Sequence, residues 1–95
     1  MDIPRVYRWD PVKARSNCDK HGVAFDFAQR VFDDPRVHSV PTIRVADGED
    51  RHKAIGLVDG KLYTAIFSLV EGTCRLISAR RTNSKEDQSY ARRDL

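Results

Sequence analysis

The sequence predicts an α+β domain in which helices pack on a sheet of antiparallel strands, and three observations carry that prediction. Apolar residues recur at helical spacing as far as Pro35 and alternate at strand spacing beyond it. Asp59-Gly60 and Glu71-Gly72 each interrupt apolar runs with the composition of a two-residue hairpin turn. Helix-start residues at Asp10-Pro11 and at Asn83 to Asp87 place one helix near each end of the chain. The expected order is a strand, two N-terminal helices, an antiparallel meander sheet and a C-terminal helix.

Arg5-Val6-Tyr7-Arg8-Trp9 alternates basic and apolar β-prone residues and reads as a short strand. Asp10 then serves as an N-cap and Pro11 as the first helical residue, where a missing N–H is harmless. That helix should stop at Gly22, with Lys20 and His21 in the last turn, where the helix dipole favours cations. Phe25, Ala28, Val31 and Phe32 form the apolar stripe of a second helix, which Asp33-Asp34-Pro35 should end.

Residues 37–40 and 42–45 are short candidate strands, followed by a polar loop over 46–50. Arg51–Val58 alternates as a strand, with Arg51, Lys53, Ile55 and Leu57 on one face and His52, Ala54, Gly56 and Val58 on the other. Lys61–Val70 is apolar on both faces and should be a central strand. Residues 73–79 return as its partner. Asn83 with Glu86, or Ser84 with Asp87, has capping-box spacing, which predicts a final helix over 84–93.

A chain of 95 residues suits a single domain over 1–95, with no room for separate cofactor and substrate domains. Its hydrophobic fraction of 40% can bury a modest core. No apolar run approaches the roughly 18 residues of a membrane span. The first residues lack the apolar centre of a signal peptide, so a cytoplasmic protein is expected. In that reducing compartment Cys18 and Cys74 are expected as two buried thiols rather than a disulfide. His21, His38 and His52 are scattered, and no glycine-rich phosphate loop is present, so neither a metal nor a cofactor is expected.

The net charge is only +3, but its distribution is uneven. Residues 26–50 carry three Lys/Arg against six acids, whereas residues 75–95 carry six against three. Such segregation suits a basic face and a polyanionic partner, nucleic acid above all. Three clusters could act on it: Lys20-His21 at a helix end, Glu49-Asp50-Arg51 at the mouth of a strand, and Arg80-Arg81 where an apolar strand ends. Arginines can grip a phosphate bidentately, and a histidine can titrate near neutrality. Lys53 shares the face of Arg51, and Tyr90 on the final helix is either a packing aromatic, a base-stacking ring or a proton donor. Together these are the parts for cutting RNA without a metal, by attack of a 2′-hydroxyl on the adjacent phosphorus.

Trp9-Asp10-Pro11, Lys20-His21-Gly22-Val23, Phe25, Ala28, Val31-Phe32 and Asp34-Pro35 stand at spacings that resemble the opening of the BrnT toxins of type II toxin–antitoxin systems. Glu49-x-Arg51, Ile55-Gly56 and Arg75-x-Ile77-Ser78-Ala79-Arg80-Arg81-Thr82 continue the resemblance across nearly the whole chain. It implies a RelE-like fold, ribonuclease activity, and a BrnA-type antitoxin partner through which the complex reaches operator DNA. The implied site residues are Lys20, His21, Glu49, Arg51 and Arg80 for catalysis; Arg81, Lys53 and Tyr90 are expected to bind substrate, Tyr90 by a looser analogy with RelE-like toxins. Ala24 stands where relatives often have a capping Ser or Thr, which weakens the start of the second helix. The competing reading is a non-catalytic nucleic-acid- or antitoxin-binding module, a degenerate toxin acting as co-repressor.

Overall fold

The computed structural model describes residues 6–42 and 51–92. Its elements are β1 (Tyr7–Arg8), α1 (Pro11–His21), α2 (Phe25–Ala28) continued by a 3-10 turn (Gln29–Asp33), β2 (His38–Thr42), β3 (Arg51–Val58), β4 (Lys61–Val70), β5 (Thr73–Arg81) and α3 (Ser84–Arg92). The strands form one sheet in the order β1-β5-β4-β3-β2, so β4 is central as its apolar composition predicts. Two corrections to the expected meander follow. β1 pairs in parallel with β5, which makes the sheet mixed. Of the 37–40 candidate, residues 38–40 belong to a single strand that runs on to Thr42, and the rest of the 42–45 candidate lies outside the described residues.

Local chemistry accounts for most boundaries. The Asp10 carboxylate accepts from the Val12 N–H at 2.9 Å, and α1 ends where Gly22 enters the left-handed region. Ala24 supplies no side-chain cap, and the second helix holds α geometry for one turn only before tightening into 3-10 form. Asp59 and Gly60, at φ 50° and 80°, make the β3–β4 turn whose twist matches the flanking strands.

One face of the sheet is dry. Ala54, Ala65, Phe67, Leu76 and Ala79 are each no more than 1% exposed and pack with Val23, Phe25, Ala28 and Val31 from the helical layer. Phe67 sits at its centre, edge-on to Phe32 and stacked with His52. Gly56 lets the 3-10 turn close on β3, because a Cβ there would lie 2.5 Å from the Val31 carbonyl oxygen. Asn17 fastens α1 to the edge of β5 beyond the short β1. Its amide donates to Ala79 O (2.8 Å) and Val23 O (3.0 Å) and accepts from Ala79 N–H (3.1 Å) and Ser78 Oγ (3.0 Å). The expectation of two buried thiols holds for one: Cys74 is buried and its thiol is pushed up to about 12 by desolvation, whereas Cys18 is exposed on α1. Among the described residues no helix is long and apolar enough to cross a membrane.

Candidate functional site

The second face of the sheet carries the charge. Alternation along β3 sends His52 and Ala54 to the dry face and Arg51 and Lys53 to this one. β5 reaches the same face by a different device. Ile66 pairs with Ser78 while the next residue, Phe67, pairs with Leu76, so Ile77 is an extra residue in β5. A bulge of this kind flips the parity of everything after it. In a strand that kept Ile77 in regular alternation, without the bulge, Arg80 would share the face of Leu76 and point into the apolar core. With it, Ala79 takes the core position and Arg80 emerges opposite Thr64 on the charged face.

Arg51, Lys53 and Arg80 thereby line one cleft of about 420 Å³, together with Thr42, Ile66, Ile77 and Ser78. A single carboxylate anchors two of these cations. Glu86, 2% exposed, accepts both terminal nitrogens of Arg80 in a bidentate pair (2.7 and 2.9 Å) and the Lys53 ammonium at 3.1 Å. Thr64 Oγ1 donates to it at 2.9 Å. The same side chain completes the capping box of α3, accepting the Asn83 N–H at 3.0 Å while Asn83 Oδ1 accepts the Glu86 N–H at 2.9 Å. Burial alone would raise this carboxyl, but the hydrogen bonds from Arg80, Asn83, Lys53 and Thr64 outweigh it and hold the group at about 2. Glu86 is therefore an anion at any physiological pH. Among the described residues, three cations and one carboxylate stand around a hollow large enough for a phosphate.

The other candidates lie elsewhere. Arg81 follows Arg80 on the strand and so turns to the opposite face, where its guanidinium lies 5.4 Å from the Tyr63 ring centroid and its Nε donates to Leu62 O. Two consecutive strand residues do not grip one phosphate from the same side. Tyr90 donates its hydroxyl to Asp34 Oδ2 at 2.6 Å, and the same oxygen accepts the Leu57 N–H at 2.8 Å, so Tyr90 ties α3 to the end of β3. Lys20 and His21 end α1, Lys20 exposed and His21 half-buried, and neither is among the residues lining the cleft. Glu49 lies outside the described residues.

Glu86 is the residue that sequence reasoning missed as part of the site. Its capping-box spacing with Asn83 is visible in the sequence, but that pattern speaks of a helix start and not of the arginine and threonine brought to it by β5 and β4. Ile77 and Ser78 are missed for a related reason, since a bulge leaves no local mark in an apolar strand.

A family model described as the ribonuclease toxin, BrnT, of type II toxin–antitoxin systems matches residues 9–86, a span that takes in every described element from α1 to the Glu86 cap. No curated protein matches the chain.

Proposed function

The chain belongs to the BrnT family of ribonuclease toxins of type II toxin–antitoxin systems, and from that premise we propose that it cuts RNA by internal transesterification without a metal ion. The observation that carries this reading is the convergence of Arg51, Lys53 and Arg80 on one anion-sized cleft. In the reaction a base takes the 2′-hydroxyl proton, the oxygen attacks the adjacent phosphorus, and the 5′-oxygen departs with a proton from an acid. The products are a 2′,3′-cyclic phosphate and a 5′-hydroxyl. Charge accumulates on the non-bridging oxygens in the transition state, and fixed guanidinium groups stabilise it more than they stabilise the ground state. Arg80 and Arg51 take that role and Lys53 binds the phosphate. Of the expected proton carriers we assign the transfer to Glu49, two residues before Arg51 in the chain; His21 and Lys20, which do not line the cleft, take no part in the step at this phosphate.

A protein antitoxin belongs to this family's systems. We assign it to the BrnA type and assign any contact with operator DNA to the complex rather than to this chain. The test is cleavage of a labelled RNA by the purified protein, read by product ends. Arg80→Ala and Arg51→Ala should each lower the rate by about 10²–10³, the usual loss for one transition-state donor. Both should also relieve growth inhibition when the chain is expressed alone. Chelator should leave the rate unchanged. Full activity in both variants overturns the assignment, and activity lost in chelator and restored by a divalent ion overturns metal independence.

A further inference from the structure

A row of residues crosses the charged face from one edge of the sheet to the other. Arg8 of β1 is opposite Arg75 of β5, Arg75 is opposite Ser68 of β4, Ser68 is opposite Arg51 of β3, and Arg51 is opposite Thr42 of β2. Directly opposed residues project to the same face, and the dry-face neighbours agree: Tyr7, Cys74, Phe67 and His52 each precede or follow a member of the row and pack on the helical side. Three arginines therefore stand on one line. At about 4.8 Å per strand, Arg8 and Arg51 are about 14 Å apart, and Arg51 is already a wall of the cleft.

The outer end of the line has its own hollow of about 320 Å³, lined by Arg8, Arg75, Thr73, Val70 and Glu71. Two guanidinium groups and one carboxylate line it, and Val70, 46% exposed, forms an apolar wall. Between the hollow and the cleft lies Ser68. Its hydroxyl is buried, with the whole residue 2% exposed, and it has no hydrogen-bond partner among the described residues. A buried hydroxyl without a partner, set between two arginines, is a donor awaiting an acceptor.

We infer that the row Arg8–Arg75–Ser68–Arg51 is a backbone track for single-stranded nucleic acid, holding the phosphates that flank the one in the cleft. The occupant is a single strand because its phosphates can follow a shallow line across strands while its bases turn away, and because charge rather than shape is what the row offers. This rests on the ribonuclease reading for its direction toward the cleft, but the binding itself can be measured without cleavage.

The experiment is fluorescence anisotropy of a labelled single-stranded oligodeoxynucleotide with the full chain. DNA lacks the 2′-hydroxyl, so no internal attack can consume the probe. Arg8→Gln with Arg75→Gln should weaken binding about tenfold at low salt and flatten the log–log salt dependence by about 1.4, the value for two released counterions on a single strand. A control pair on the helical layer, Arg15→Gln with Arg30→Gln, should weaken it less than twofold. Equal losses in the two pairs, or none in the first, overturn the track. So does polyaspartate of matched charge that binds as tightly with the same dependence on Arg8 and Arg75, for the face would then be a dock for acidic protein. A chain that fails to cut RNA but binds DNA with this dependence keeps the track and sinks the nuclease. One that cuts RNA and binds DNA indifferently to Arg8 and Arg75 does the reverse.

Discussion

The two faces of this sheet are built from alternate residues of the same strands, yet they obey different rules. On the helical face Ala54, Ala65, Phe67, Leu76 and Ala79 are sealed beneath the helical layer, and the small residues let the chain above approach closely. On the other face, among the described residues, α3 covers the strands near Thr64 and Arg80, and a buried carboxylate stands where a core residue would otherwise be. The first face gains stability from apolar burial. The second holds cations in place with one shared anion, an arrangement that adds little net stability but fixes geometry. A chain of this length thus keeps its core on one side and leaves the other for chemistry. What divides them is strand parity, and parity is where the comparison can be broken.

The stretch after the bulge is the place to break it, with the largest expected effect. Exchanging two neighbours there, Ala79→Arg with Arg80→Ala, keeps the composition and moves the guanidinium to the parity of Leu76. The guanidinium would then face the apolar core while Glu86 lost its bidentate partner, a combination of unpaired buried charges that costs about 3–5 kcal/mol. Ile77→Val keeps the extra residue and should cost under about 1.5 kcal/mol. Urea denaturation of both variants, with RNA cleavage alongside, checks the contrast. An exchange variant with the parent's midpoint and activity would show that parity does not place Arg80.

Glu86 tests the other half of the contrast, at intermediate size. Arg80 and Lys53 keep 31% and 28% of their side chains exposed, so losing their anion is softened by solvent, and Glu86→Gln should destabilise by about 1–3 kcal/mol near neutrality. The sign with pH follows from a folded value of about 2 against 4.5 for the free group. The folded state favours the carboxylate, so its contribution is complete above about pH 4.5 and is lost as pH falls toward 2. Parent and variant stability curves should converge through that window. Parallel curves would mean that the burial of Glu86 does not govern acid sensitivity.

How far the sequence could be read follows from which interactions are local. The β3–β4 hairpin is legible because Asp59-Gly60 specifies its own turn, and the shared face of Arg51 and Lys53 is legible because β3 alternates without interruption. The parallel pairing of β1 with β5 is not, since two residues at one end of the chain meet a partner 67 positions away. The second helix reads longer than it is because an apolar stripe at helical spacing also serves a 3-10 turn, and the missing cap at Ala24 is the one local hint. Glu86 announces a helix start, while its role as counter-ion depends on Arg80, whose direction hangs on the bulge. Interactions set by neighbours in the chain show in the sequence; those set by register do not.

Arg81 gives the smallest expected effect and the sharpest form of the comparison. It is chemically identical to Arg80 and adjacent to it, so composition cannot separate them. Strand geometry does: Arg80 meets Glu86 on the charged face, and Arg81 meets the Tyr63 ring on the helical one. Arg81→Gln should therefore change the rate of RNA cleavage by less than about twofold, because it removes an exposed cation–π contact and no charge from the cleft. Arg80→Gln, the same chemical change one residue earlier, should cost at least about a hundredfold. Measuring both on one RNA substrate holds composition, net charge and side-chain volume equal, so any difference belongs to the face. Equal losses would mean that both arginines reach the substrate, and that the two sides of the sheet are not the separate environments their packing describes.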